Sequence, residues 1–177
     1  SGEIKKLLTD VFKGGLLIAD VAKTADLVTK TGDPRRGRDI YLDKKRTQCA
    51  TCHKLEGVGG EVGPDLSKTW ETHTVAKLIE SMLEPSKEIK EGFATWTVVT
   101  KDGKVYNGLK IAEVNKQFVL RDATGKDLRI QVDEIDEKAE SKTSLMPEGV
   151  VSQLSLQEFL DLVSFLKSRE AQAELRK

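Results

Sequence analysis

The sequence has no long apolar run, no excess of charge of one sign and few cysteines or aromatic residues. Its longest run of consecutive apolar residues covers only 16–19, whereas a membrane-spanning helix needs about 20 such residues. The 29 basic residues are balanced by 29 acidic ones, which excludes bulk positive charge as a means of binding nucleic acid. With 38% hydrophobic and 33% charged residues, the composition is typical of a soluble globular protein with its own core.

Cysteine is nearly absent, so the position of the two cysteines is informative. Two are too few for a disulfide scaffold. Cys49 and Cys52 are followed directly by His53, and this C-x-x-C-H motif is the signature of covalent c-type haem attachment. The spacing lets two thiols meet the two vinyl groups on one edge of the porphyrin, and the adjacent imidazole can bind the iron. We therefore predict one covalent haem c, held by Cys49, Cys52 and His53.

Two other uses of a C-x-x-C pair fit the sequence less well. A thioredoxin-like redox pair is expected in a βαβ context, which the residue pattern does not indicate. A structural zinc site needs four ligands, and beyond the motif the sequence offers only one further candidate of the Cys/His type, His73. Both alternatives therefore rank below haem attachment.

The second axial position of the iron has three candidates: Met146, Met82 and His73. Met82 falls on the apolar face of a predicted helix, where methionine usually fills the core. His73 falls at a predicted helix start, where a solvated histidine is the ordinary case. Met146 lies in a loop directly before Pro147, where core packing has little use for it. We predict Met146 as the second axial ligand, opposite His53.

The spacing of apolar residues divides the chain into three regions. Residues 1–31 show helical spacing and predict a helical N-terminal extension. Residues 32–94 and 136–177 also have helical character and together predict the haem domain. Between them, residues 95–135 alternate with a period of two and predict an inserted β subdomain. The acidic stretch 133–140 is expected to lead out of that subdomain.

The motifs together resemble those of the class I cytochromes c. The matching segments are the helix before the motif, the motif itself, a proline loop, a methionine loop and the final helix: 37–41, 49–54, 63–66, 145–147 and 161–166. The resemblance implies that the carbonyl of Pro64 accepts a hydrogen bond from the axial His53, and that Met146 binds the iron. It also implies the fold class: a mainly α cytochrome c fold with an inserted small antiparallel β sheet or barrel, α+β overall.

A closer resemblance is to the haem-binding domain found at the carboxy end of large secreted proteins of planctomycetes and verrucomicrobia. It rests on 85–89, Gly92-Phe93, Asp102-Gly103 with Gly108, and 144–149. In that family the haem domain often follows a predicted dehydrogenase region. The resemblance therefore implies electron transfer in the periplasm or another exported bacterial compartment. It also implies a redox partner protein, such as a fused or associated dehydrogenase.

Two functions of different classes remain open at this point. In the first, the chain is an electron carrier and not an enzyme, with His53 and Met146 filling both axial positions so that no substrate reaches the iron. In the second, it is a haem-based ligand-binding, sensor or peroxidase-like protein whose sixth position is open or whose Met146 is displaceable. A peroxidase needs a polar group near the iron, and the candidates are His73, Gln48 and Arg46. Because His53 and Met146 can fill both axial positions, the sequence favours the electron carrier over the ligand-binding or peroxidase-like protein.

A basic stretch surrounds the motif. Residues 35–54 are rich in Lys and Arg, and Lys44, Lys45 and Arg46 come just before the first cysteine. The stretch is either a solvated helix face or a docking rim that would steer an acidic redox partner.

Overall fold

The computed structural model describes residues 20–176, which combine helices with two antiparallel sheets. Its helices are α1 (Val21–Thr31), α2 (Pro34–Leu42), α3 (Cys49–Cys52), α4 (Thr69–Thr72), α5 (Val75–Leu83), α6 (Leu156–Lys167) and α7 (Arg169–Ala173). Its strands are β1 (Lys54–Leu55), β2 (Val58–Gly59), β3 (Ala94–Thr100), β4 (Val105–Val114), β5 (Gln117–Arg121), β6 (Asp127–Gln131) and β7 (Ile135–Ser144). Most of the predicted N-terminal extension, residues 1–19, lies outside the described part of the chain.

The longer helices begin at residues whose side chains accept a hydrogen bond from the first turn. These N-cap residues are Asp20, Asp33, Thr74 and Ser155. At α6 the capping box is complete, because the Glu158 side chain also accepts from the backbone N–H of Ser155. The N-terminal limits of the four helices are therefore set locally by sequence.

Helix α2 crosses α6 in close contact, and these helices pack with α1 and α5 around the main core. Gly37 permits the crossing, because a Cβ atom at this position would lie 2.0 Å from the carbonyl oxygen of Asp161. Tyr41, Phe159 and Phe165 are fully buried in this helical core. A larger residue at position 37 would push the two backbones apart.

The buried carboxylate of Asp161 ties the crossing together. It accepts hydrogen bonds from Nε of Arg36 at 2.7 Å, from the backbone N–H of Asp33 at 2.8 Å and from Nε2 of Gln157 at 2.9 Å. Burial raises the pKa of this carboxyl, but the hydrogen bonds and the Arg36 charge outweigh it and hold the pKa below its usual value. Asp161 is therefore an ionised link between the start of α2 and the middle of α6.

The larger sheet is antiparallel throughout, with the strand order β6-β5-β4-β3-β7. It encloses a second, smaller core that includes Val98, Phe118 and Leu120. The ammonium groups of Lys110 and Lys138 lie 5.3 and 4.8 Å from the centroid of the Phe118 ring, within the range of cation–π attraction. The sheet therefore has a core of its own, separate from the helical core.

The predicted fold class, a mainly α cytochrome c fold with an inserted small sheet or barrel, is wrong. Residues 20–176 are 38% helical, short 3-10 turns included, and 26% strand, a sheet-rich α+β fold. Strand β7 accounts for a large part of the difference between the predicted and the observed fold. It contains most of the acidic stretch 133–140, which was expected to be the segment that leaves the β subdomain. Because the side chains of β7 are largely exposed, this strand lacks the alternating apolar face by which sequence reveals a strand.

Replacing Asp161 by Asn should lower the free energy of unfolding by about 1.5–3 kcal/mol, the range for hydrogen bonds to charged groups. Because folding lowers the pKa of Asp161, its carboxylate stabilises the fold above the unfolded-state pKa of about 3.9. That contribution is lost as the pH falls through the lower, folded-state pKa. Urea unfolding should therefore show the full difference in the free energy of unfolding between Asp161→Asn and wild type at neutral pH. That difference should shrink below about pH 4.

The matched control for this variant is Asp26→Asn. Asp26 pairs with Lys30 at 2.6 Å on the exposed face of α1, and such surface pairs contribute at most about 0.5 kcal/mol. Equal losses of stability in Asp26→Asn and Asp161→Asn would contradict the claim that Asp161 stabilises the crossing of α2 and α6.

Candidate haem-attachment site

The two cysteines of the motif begin and end the one-turn helix α3. Positions three apart lie on the same face of a helix, so Cys49 and Cys52 are neighbours. The turn is preceded by Gln48, whose φ of 55° is left-handed. The buried hydroxyl of Thr47 donates to the carbonyl of Ile40 at 2.7 Å and thereby joins α3 to the end of α2.

The ring of His53 is held by one hydrogen bond. Its Nδ1 lies 2.8 Å from the carbonyl oxygen of Pro64. A carbonyl can only accept, so Nδ1 carries the proton and Nε2 keeps the lone pair that binds a metal. Burial lowers the pKa of His53, against the opposing effect of this hydrogen bond. The imidazole is therefore neutral at pH 7 and in the tautomer that an axial ligand needs.

A glycine-containing loop, residues 59–63, wraps around the backbone of the motif. Cβ atoms built on Gly59 and Gly60 would lie 2.1 Å from the carbonyl oxygen of His53 and 2.0 Å from that of Thr51. At Gly63 a Cβ would lie 2.4 Å from Cε1 of the His53 ring. Only glycine allows these approaches, so the loop fixes both the backbone and the ring of His53.

Tyr41 supports the same histidine from the helical core. Its hydroxyl donates to the carbonyl of His53 at 2.6 Å, and its ring centroid lies 5.6 Å from that of Phe165. The tyrosine is fully buried, and burial raises the pKa of its hydroxyl. The hydroxyl therefore stays protonated and remains a donor, linking the α2–α6 crossing to the motif.

The thiols and the imidazole together fit a covalently attached haem. Cys49 and Cys52 are both free and half-buried. Burial raises the pKa of each thiol, so neither carries a thiolate charge that would need an internal partner. The site thus offers two uncharged thiols beside a histidine whose Nε2 keeps a free lone pair, which is the donor set that a haem c requires.

The three candidates for the second axial position lie in different environments. Met82 is buried in the helical core. Met146 is half-buried and packs against the edge of that core, as Cys49 also does. His73 is half-buried, and its Nδ1 lies 2.8 Å from Oγ1 of Thr72. Of the two methionines, Met146 is therefore the one that is not already occupied in packing the core interior.

The basic residues around the motif are largely paired. Acidic partners lie close to Arg36, Arg38, Arg46 and Lys54. Arg46, one of the polar candidates for a peroxidase-like site, reaches Glu158 with 2.7 Å between Nη2 and Oε1. The basic stretch is thus partly neutralised within the chain, and exposed Lys44 and Lys45 remain as candidates for a docking rim.

Sequence reasoning did not assign a site role to Tyr41, Gly59 or Gly60. Tyr41 appeared only as part of the helix that resembles the cytochromes, and its contact with the carbonyl of His53 is tertiary. The glycine-rich composition of residues 57–63 was the one available signal for the close-fitting loop. The proline carbonyl that the resemblance implied does lie beside the His53 ring.

Two features are absent from residues 20–176. No three side chains of the His, Cys, Asp or Glu type are grouped there so that they could hold a metal ion. No helix in this part of the chain is both long and apolar enough to cross a membrane.

Comparison with known proteins assigns no family. No family model matches the chain, and a search of curated proteins finds no match to it.

Replacing Tyr41 by Phe should reduce the free energy of unfolding by about 1–3 kcal/mol, because the carbonyl of His53 loses the donor that the fully buried Tyr41 supplies. The matched control is Tyr106→Phe, a half-buried tyrosine that packs against the sheet core, with an expected loss below about 0.5 kcal/mol. Urea unfolding of the two variants measures the difference. Losses of equal size would show that the Tyr41 hydroxyl does not support the motif.

Proposed function

We propose that the chain is a c-type electron-transfer domain that carries one covalently bound haem through Cys49 and Cys52. His53 and Met146 are the proposed axial ligands. The observation that carries the proposal is the His53 ring, half-buried and neutral, with Nδ1 on the carbonyl of Pro64 and Nε2 free to bind. The thiols beside it are unpaired and adjacent on one turn.

The chain's own residues would give such a group its properties. A bound haem supplies a one-electron carrier, and methionine as a ligand raises its reduction potential. Pro64 and Gly63 hold the imidazole in one orientation, which limits rearrangement of the ligand on electron transfer. The two cysteines and His53 are only half-buried, so the motif is partly shielded from water. His53 and Met146 together would hold the iron of such a group, which would leave no position open to a substrate.

The compartment and the partner follow from the same proposal. Thioether formation needs reduced cysteines and haem together in the compartment to which the chain is exported. We therefore place the domain in the periplasm or an equivalent bacterial compartment. Its proposed partner is another redox protein, and the resemblance to the haem domains of secreted bacterial proteins favours a dehydrogenase-type donor. The exposed lysines Lys44 and Lys45 suit a partner with an acidic docking surface.

Covalent attachment can be tested by extraction. The chain is exported together with a c-type maturation system and then treated with acidic acetone. Haem should stay on the wild-type polypeptide, and the double variant Cys49→Ser/Cys52→Ser should carry no acid-stable haem. His73→Ala, the control outside the motif, should behave as wild type. Release of all haem from wild type into the organic phase would refute covalent attachment.

Replacing Met146 by Ala should open the sixth position. The oxidised protein should lose its sulfur-to-iron absorption band, its potential should fall, and the reduced form should bind carbon monoxide. The matched control is Met82→Ala, which should keep the wild-type spectrum but lose about 2–5 kcal/mol of stability because it leaves a cavity in the core. The opposite pattern would make Met82 the ligand.

Carbon monoxide also separates the two functional classes. Reduced wild-type protein should not bind it readily if Met146 is a firm ligand. Ready binding by wild type would favour the ligand-binding or peroxidase-like function over electron transfer.

A further inference from the structure

The five-stranded sheet touches the loop that wraps His53. Val62, in that loop, is only 6% exposed, yet among the described residues it belongs to neither the helical core nor the sheet core. A Cβ atom built on Gly125 would lie 3.6 Å from Cγ2 of Val62. The turn between β5 and β6 therefore covers this side chain and contributes to its burial.

Val62 connects this contact to the motif. Its backbone N–H donates to the carbonyl of Cys52 at 3.0 Å, and the N–H of Gly63 donates to the same carbonyl at 2.7 Å. Gly63 in turn lies directly against the His53 ring. A displacement of Val62 would therefore also move His53, because Val62 is hydrogen-bonded to Cys52 and is followed by Gly63, which contacts the His53 ring.

A chain of ion pairs follows the same path. The Glu61 carboxylate pairs with Lys54, and its Oε2 lies 3.8 Å from Nη1 of Arg121 on β5. Arg121 is itself oriented by Asp127 on β6, with 2.8 Å between Nε and Oδ1. Exposed pairs contribute only about 0–1 kcal/mol, so Glu61 adds a smaller support to that of Val62.

The same sheet leads into the other proposed ligand. Strand β7 ends at Ser144, which pairs with Ala94 of β3. The N–H of Ser144 donates to Oγ of Ser86 at 3.2 Å, and its own Oγ accepts the N–H of Met146 at 3.1 Å. Met146 is thus attached to the end of the sheet by a short hydrogen-bonded turn.

We propose that the five-stranded sheet positions both candidate axial ligands. It supports the His53 loop through Val62 and Glu61, and it sets the start of the Met146 loop through Ser144. The inference rests on the proposed function, because only a bound iron makes these side chains ligands. The contacts themselves do not depend on haem, so the two proposals can fail separately.

Amide hydrogen exchange tests the His53 side in the full chain as purified. The amide of Gly63 should exchange about tenfold faster in Val62→Ala and a few-fold faster in Glu61→Gln, after correction for intrinsic rates. Both variants remove contacts between the sheet and the loop while leaving the motif residues in place. If Val62→Ala does not fold, Glu61→Gln decides the result alone.

Two matched variants control for general loss of stability. Val28→Ala truncates a valine of similar burial in α1. Glu113→Gln breaks the pairs of a sheet carboxylate with Lys110 and Lys138, away from the loop. Both should leave the exchange of Gly63 unchanged.

Ser144→Ala tests the Met146 side. The control is Ser141→Ala, because Oγ of Ser141 accepts the N–H of Thr143 at 3.0 Å, the same hydrogen bond to the second following residue, three positions earlier in the chain. In haem-loaded protein, Ser144→Ala should weaken the sulfur-to-iron band and increase carbon monoxide binding to the reduced form. Ser141→Ala should change neither.

The outcomes separate the two proposals. Unchanged Gly63 exchange in every folded variant among Val62→Ala and Glu61→Gln would overturn the His53 half of the inference, whatever group the chain carries. Equal behaviour of Ser144→Ala and Ser141→Ala would overturn the Met146 half. A chain without haem would refute the proposed function, while the exchange data would still decide whether the sheet supports the loop.

Discussion

The hydrogen bond between Nδ1 of His53 and the carbonyl of Pro64 is the interaction on which the site depends. It selects the tautomer, fixes the ring plane and leaves Nε2 as the free donor. Without this partner the half-buried imidazole would lose the acceptor for its Nδ1–H and nothing would select its tautomer. Gly63 allows the ring to approach its loop, and Tyr41 satisfies the carbonyl of the same residue. The histidine is thus fixed at both its ring and its backbone.

This arrangement requires the helical crossing beneath it. Tyr41 can reach the motif because α2 lies against α6, and α2 can lie there because Gly37 carries no side chain and Asp161 links the two helices. The ionised carboxylate contributes most where it is unprotonated, so the crossing is weakest in acid. The core therefore holds the backbone of the motif, whereas the turn between β5 and β6 contacts its loop through Val62.

Local features of this chain could be predicted from sequence, and tertiary features could not. Cys49, Cys52 and His53 lie within five consecutive residues, so their chemistry can be recognised as a sequence motif. The prediction of a mainly α fold was wrong, in part because β7 is exposed and charged and lacks the alternation of apolar residues that marks a strand. The roles of Tyr41 and Val62 arise from contacts between distant segments, and no local pattern marks them.

The most direct test of the account is the intact mass of the chain after export with a c-type maturation system, followed by mass mapping of its peptides. The account predicts that the denatured polypeptide is heavier by the mass of one haem. It also predicts that the added mass lies on the peptide containing Cys49 and Cys52. A polypeptide of unmodified mass from protein that was exported and folded with this system would contradict the central claim.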